Sequence, residues 1–365
     1  MIKNVLIVIG TRPNFIKVTQ FKKAAALYPQ LDIRIVHTGQ HFDEKMADVF
    51  FQQFGLNPDY FLNIPQGSPN SQMAEIMLRL EQMILKESKP DLMIVVGDVN
   101  STLAAALTAN KMNIRLAHLE SGLRSNDRSM PEEINRILTD AITDHFFVTE
   151  QSGYDNLINE GKTKEQVFFV GNTMIDTLVA YNTEIQKSEV LAQYGLKEKE
   201  FVLMTMHRPA TVDSPEGLTM LLGLIEMVTK RYKLIFPIHP RTLKNLEKFN
   251  LSKRFSGNTQ IITTEPLDYF SFQKLICESR FILTDSGGIQ EESTFRQIPC
   301  ITLRPNTERP VTCDTGTNTL MAFDLELIAE KLAEIENGTY KKGSIPKLWD
   351  GKATDRILEV ISDLK

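Results

Sequence analysis

Three carboxylates in the N-terminal half of the chain, Asp98, Glu120 and Glu132, stand where a parallel α/β sheet would present them to a ligand. Gly97-Asp98 follows the apolar run Leu92–Val96, and Glu120 follows Ile114–Leu119. Side chains at the C-terminal ends of such strands line the ligand crevice. Glu132 follows Pro131 at the first turn of a helical pattern that continues to Arg136. Carboxylates held in different environments can divide the work of acid and base. Two of them also have a purely structural role open to them. Asp98 can cap the helix starting near Ser101, and Glu132 can be an acidic first-turn residue with Arg136 as its i+4 partner.

The C-terminal half offers a complementary set. Asp285-Ser286-Gly287-Gly288-Ile289-Gln290-Glu291-Glu292 follows the strand pattern Arg280–Thr284 and opens a helix. Glycines let the backbone approach a phosphate, and the helix start supplies free N–H groups and a positive dipole end. Ser286 adds a hydroxyl donor, and Glu292 can accept from ribose hydroxyls. A second loop of this kind, Gly10-Thr11-Arg12-Pro13-Asn14-Phe15-Ile16-Lys17, offers the planar fork of Arg12 and the ammonium of Lys17. His207-Arg208 and His239-Pro240-Arg241 directly follow strand patterns, and Arg304 and Arg309 add positive charge. His41, His118, His207 and His239 have no metal-type spacing, so no metal site is expected.

These residues need strands to carry them. Asn4–Ile9, Ile33–Thr38, Leu92–Val96, Ile114–Leu119, Phe146–Thr149 and Val167–Val170 read as strands, with helical patterns such as Ser71–Glu87 and Thr102–Lys111 between them. The pattern restarts with Phe201–Met206, Leu234–Ile238, Gln260–Thr263, Phe281–Thr284 and Cys300–Leu303. Near-continuous apolar strands alternating with helices predict parallel sheets covered on both faces. The expected organisation is α/β, with two Rossmann-like domains facing a cleft. One spans residues 1–172 and is joined by the C-terminal helix 350–365. A helical connection covers 173–200, and the second, nucleotide-binding domain covers 201–349.

The net charge of −5 argues against broad nucleic-acid binding, which needs a basic field. No apolar run is long enough to span a membrane, and the apolar start carries no signal-peptide layout. Three cysteines without CxxC spacing predict reduced thiols, and the expected location is the cytoplasm.

Together these motifs resemble the non-hydrolysing UDP-N-acetylglucosamine 2-epimerases. The resemblance runs through Gly10-Thr11-Arg12-Pro13, Thr38-Gly39-Gln40-His41, Gly97-Asp98, His118–Arg124 and Pro131–Arg136. It continues through Gly171-Asn172-Thr173, Met206-His207-Arg208, Leu283–Glu292 and Thr307–Pro310. It implies a glycosyltransferase-B-like fold, a homodimer, a UDP-sugar substrate and no cofactor. The implied reaction is inversion at C2 to UDP-N-acetylmannosamine, for cell-surface polysaccharide precursors, by elimination and re-addition of UDP. It also implies roles: Asp98, Glu120 and Glu132 as candidate acid/base carboxylates, joined at the site by His207. Arg12, Lys17, His207, Ser286, Gly287, Gly288, Glu292 and Arg309 become nucleotide-sugar contacts, with Phe272 near the uracil. Gln40, His41 and Arg79 could build an effector site.

The sequence departs from the bacterial pattern at Ser121, where Ala is usual, and at Pro209-Ala210 after His207-Arg208. The turn Phe42–Met46 is longer than in many bacterial members, which puts activation by UDP-N-acetylglucosamine in question. A related UDP-2-acetamido sugar, or a UDP-sugar glycosyltransferase of the same fold, is the alternative reading.

Overall fold

The computed structural model describes residues 2–40, 51 and 53–364. They form two compact units, Met1–Tyr181 with Lys347–Lys365, and Asn182–Pro346. The first unit carries strands β1 (Lys3–Ile9), β2 (Leu31–His37), β3 (Tyr60–Phe61), β4 (Leu92–Val96), β5 (Arg115–Leu119), β6 (His145–Val148) and β7 (Val167–Phe169). Among the described residues they pair in the order β3-β2-β1-β4-β5-β6-β7, every neighbour parallel. The apolar runs explain this. All five residues of β4 are buried, as a strand covered on both faces requires. The helix Pro69–Lys86 buries Ile76, Leu80 and Ile84, one stripe at i+4 spacing, and Ser68 caps its start by accepting from Ser71 N–H at 3.2 Å.

The second unit repeats the plan with β8 (Phe201–Thr205), β9 (Lys233–Pro237), β10 (Ile261–Thr264), β11 (Phe281–Thr284), β12 (Cys300–Leu303) and β13 (Asn318–Met321). Their order is β10-β9-β8-β11-β12-β13, again all parallel. The expected α/β class with two parallel-sheet units is therefore present. Two strands were not anticipated, β3 and β13. Both lie at a sheet edge, and β13 carries the buried polar Asn318, so neither shows the apolar run of a central strand.

The strand order reverses between β1 and β4 in the first sheet and between β8 and β11 in the second. At such a reversal the following helices run to opposite faces and leave a crevice beyond the strand ends. Gly10 and Gly97 leave β1 and β4 at one crevice; Met206 and Asp285 leave β8 and β11 at the other.

The segment 173–200, read as a connection, divides. The helix Thr173–Ala180 lies in the first unit, and the short helices Asn182–Lys187 and Val190–Gln193 lie in the second. The C-terminal helix Ala353–Asp363 also packs in the first unit, against Thr173–Ala180. Asp176, 3% exposed, accepts from the N–H groups of Ala353 at 3.0 Å and Thr354 at 2.6 Å, and Trp349 Nε1 donates to Thr149 O at 3.0 Å. Asp176→Ala removes the acceptor and leaves two buried donors of the helix start without it. The expected loss is about 1–3 kcal/mol, read as a lower urea midpoint at unchanged m.

Candidate active site

In the first unit the site forms at the exits of β1, β4 and β5. Asn14 ties two of these together: its Nδ2 donates to Val96 O at 3.1 Å, and its Oδ1 accepts from Gly10 N at 3.3 Å and Thr11 Oγ1 at 3.0 Å. This brings the short helix Arg12–Ile16, and Lys17 after it, to the end of β4. Lys17 is ion-paired with Glu120, both nearly buried. Gly97 sits between them at φ +66. A Cβ there would stand 3.2 Å from Asn14 Nδ2 and 3.5 Å from both Glu120 Oε2 and Lys17 Nζ. The left-handed φ favours glycine here, and a Cβ would press on Asn14 while only touching the ion pair.

Glu120 itself has φ +70, an uncommon conformation for a non-glycine residue. Its N–H and that of Ser121 both go to Phe147 O, at 3.0 and 3.2 Å, so the chain kinks as it leaves β5. Such strain costs on the order of 1–3 kcal/mol and collects where a side chain must be aimed. The carboxylate is directed by this kink and held by Lys17.

Asp98 does not cap the following helix. That helix, Asn100–Lys111, has Val99 at its N-cap and no side-chain cap bond. The Asp98 carboxylate meets Arg136 Nη2 at 2.5 Å, and its backbone oxygen accepts from Asn135 Nδ2 at 2.9 Å. Arg136, 3% exposed, also reaches Glu133 at 2.5 Å. Glu133 is buried and accepts from Ser125 N–H and Oγ and from Asn126 N–H, each at 2.9 Å. Burial would raise its carboxyl, but these bonds and Arg136 hold it below the usual carboxylate value. Of the adjacent acids, Glu133 is thus the buried anchor. Glu132 is exposed at the first turn of the helix Pro131–Ala141. The sequence offered both, and their places on the helix face separate them.

In the second unit Asp285 organises the crevice. Fully buried, its Oδ2 accepts from the N–H groups of His207 at 2.9 Å and Arg208 at 2.8 Å, while Oδ1 faces His207 Nδ1 at 3.0 Å. Burial pushes its carboxyl up, but the His207 bond, the His207 charge and the two N–H groups outweigh this and hold it low. The half-exposed His207 ring thus stands directly beside the buried Asp285 carboxylate. His239 lies 6.2 Å from His207, ring centre to ring centre, and its Nδ1 accepts from Arg241 N–H.

Ser286 is the N-cap of the helix Gly287–Arg296, and its hydroxyl makes no cap bond, so the first turn's N–H groups are not taken up by it. At Gly287 a Cβ would meet Glu308 Oε1 at 2.9 Å and Arg309 Nη1 at 3.1 Å, with Arg304 Nη1 at 3.8 Å, whereas nothing crowds Gly288. Arg309 is buried between Glu308 and Glu291, its Nε 2.9 Å from Glu291 Oε2. Arg304, 2% exposed, contacts Glu308 at 3.1 Å through Nη2, while its Nε and Nη1 have no hydrogen-bond partner among the described residues. Burial lowers the Arg304 pKa. Glu292 is buried on the same helix, and Phe272 packs against the cluster containing Ile289 and Leu275.

The structure thus groups Lys17, Asp98 and Glu120 at the first crevice. It groups His207, Ser286, Gly287, Gly288 and Arg309 at the second. Arg12 is half-buried at the start of the helix Arg12–Ile16. Of the effector candidates, Gln40 Oε1 accepts from Ser101 N–H at 2.9 Å and Oγ at 2.6 Å. Arg79 is engaged by Glu75 and by the carbonyls of Leu62 and Asn63. His41 and the turn Phe42–Met46 lie outside the described residues. Asn14, Glu133 and the orienting role of Asp285 were not singled out from sequence, although each lies inside a motif that was. The three cysteines are free thiols. Among the described residues no helix is long and apolar enough to cross a membrane.

Comparison with known proteins gives the family. The family model described as UDP-N-acetylglucosamine 2-epimerase matches residues 23–362. The UDP-N-acetylglucosamine 2-epimerase of Methanocaldococcus jannaschii is 39% identical over 98% of both chains. The UDP-2,3-diacetamido-2,3-dideoxy-D-glucuronate 2-epimerase of Pseudomonas aeruginosa is 37% identical over 99% of both. A crystal structure of the Methanocaldococcus jannaschii enzyme in complex with UDP-GlcNAc and UDP superposes with a TM-score of 0.89, at 38% identity, covering 98% of this chain and 99% of that one. The shared fold, the motifs in order and the full-length match place the chain in the UDP-N-acetylglucosamine 2-epimerase family.

Proposed function

We propose that the chain interconverts UDP-N-acetylglucosamine and UDP-N-acetylmannosamine without hydrolysis, working as a homodimer and with no cofactor. The observation that carries this is Glu120, aimed by a left-handed backbone and paired with Lys17 at the crevice that also holds Asp98. The C2 proton is not next to a carbonyl, so removing it alone is very unfavourable. Expelling UDP from C1 as the C2–H bond breaks supplies the driving force. One carboxylate takes the proton, and the electron pair forms the C1–C2 double bond as UDP leaves. UDP then returns to C1 while a proton is delivered to C2 from the opposite face. The candidates for these proton transfers are Asp98, Glu120 and the exposed Glu132. The second crevice holds the departing UDP. Ser286, Gly287 and Gly288 meet the diphosphate at the helix start, Arg309 adds charge, and His207, beside Asp285, contacts the same group, while Arg12 offers its charge at the first crevice. Glu292 binds the ribose and Phe272 lies near the uracil.

A second reading concerns the sugar. The Pseudomonas aeruginosa relative acts, by its name, on a 2,3-diacetamido glucuronate and is nearly as similar as the archaeal one. The protein should therefore be incubated separately with UDP-N-acetylglucosamine and with UDP-2,3-diacetamido-2,3-dideoxy-glucuronate and the products followed by proton NMR. Epimer from the first, with the second unchanged, is the expected result. Turnover of the second alone would overturn the substrate assignment.

A further inference from the structure

His118 is fully buried in β5, two residues before Glu120, and meets an acceptor at each ring nitrogen. Nδ1 lies 2.7 Å from Asp140 Oδ1, and Nε2 lies 2.7 Å from the carbonyl oxygen of Gly97. A carbonyl has no hydrogen to give, so Nε2 donates. Asp140 also faces Arg124 Nη2 at 2.7 Å and accepts from Gly122 N–H at 3.1 Å. Burial pushes the Asp140 carboxyl up, yet His118 and Arg124 hold it below the ordinary value. The ring is thereby held from both sides, by Asp140 at Nδ1 and by the Gly97 carbonyl at Nε2. Arg124 also pairs with Glu160 at 2.7 Å. Buried charges persist when they are paired and hydrogen-bonded in this way.

The bonds of this cluster end at the two turns that carry the carboxylates. Asp140 grips His118 before Glu120 and Gly122 after it, bracketing the kinked residue. The Gly122 turn is itself tightly seated: at φ +78, a Cβ there would lie 2.2 Å from Gly153 O. The other side of the His118 ring holds the peptide oxygen of Gly97, and so fixes the peptide plane leading into Asp98.

We propose that His118, held by Asp140, is a positioning residue that locks the Asp98 turn and the Glu120 turn into one register. It touches no reacting atom and acts through the two carboxylates. This rests on the reading of Asp98 and Glu120 as the proton-transfer groups.

The test uses His118→Gln, made in the wild-type and in the Glu120→Gln enzyme. In the wild-type background kcat is expected to fall about 10–100-fold, the scale of a small misplacement of reacting groups, while KM and UDP affinity stay unchanged. In the Glu120→Gln background the same change should cost clearly less than in the wild type, because the part of its effect that runs through Glu120 is already lost. A folded His118→Gln enzyme at full rate, or a loss that multiplies in full on Glu120→Gln, would overturn the assignment. A full-rate Glu120→Gln enzyme would instead sink the proton-transfer reading, and the positioning role with it. Nitrogen-15 NMR of the unmodified protein adds a check independent of any variant's folding. Nε2 of His118 is expected to carry a proton bonded to the Gly97 carbonyl, and a bare Nε2 would overturn the proposal.

Discussion

Glu120→Gln is expected to lower kcat by about 10²–10⁴-fold, the usual worth of a well-placed acid or base, without weakening UDP binding. Glutamine keeps the size of the side chain and a hydrogen-bond acceptor, but it cannot take or give the proton. The loss should therefore appear in the transition state, lowering kcat and kcat/KM together. Asp98→Asn is expected to behave alike, with one difference that the structure supplies. Asp98 is ion-paired with Arg136, so the variant removes one anion from that buried guanidinium, which Glu133 also meets, and should also lose some stability. Steady-state rates and UDP calorimetry on both variants check this. A Glu120→Gln enzyme with wild-type kcat would remove Glu120 from the proton-transfer step.

Glu292→Ala is expected to act on the other half of the reaction. Glu292 is buried on the helix that begins at Gly287. Losing a buried hydrogen-bonding group there should weaken UDP by about 1–3 kcal/mol, or roughly 5–150-fold in Kd. Calorimetry with UDP reads this directly, and unchanged affinity would remove Glu292 from the nucleotide contacts. The pair of results would separate the two crevices by function, one carrying the proton transfers and the other the leaving group.

The central strands were legible because a buried parallel strand is written as an unbroken apolar run. Leu92–Val96, Phe281–Thr284 and Cys300–Leu303 appear with the bounds read from sequence. β13 was not, since Asn318 and Thr319 interrupt its apolar pattern, and Asn318 is satisfied by Thr302 and Gln290 rather than by burial among apolar groups. At the candidate site, residue types at strand ends drew attention to Asp98, Glu120, His207 and the Gly287-Gly288 turn. Their partners were less visible because they come from distant positions. His118 meets Asp140 across 22 residues, and Asp285 meets His207 across 78. Spacing along one helix suggested Arg136 for Glu132. Packing gives Arg136 to Glu133 and Asp98, because the buried face of the helix Pro131–Ala141 carries Glu133 and Arg136 while Glu132 points to solvent. Glu120 shows the same limit: its left-handed conformation follows from two successive N–H groups sharing Phe147 O, a contact made by the neighbouring strand.

The account stands most directly on the fate of the hydrogen at C2. UDP-N-acetylglucosamine incubated with the protein in D₂O, followed by proton NMR and mass spectrometry, reads it. If UDP leaves as C2–H breaks, the proton exchanges with solvent and returns on the other face, so the epimer carries deuterium at C2. A slowed variant such as Asp98→Asn should release some free 2-acetamidoglucal with UDP. Epimer formed with its original C2 hydrogen fully retained would contradict elimination and re-addition.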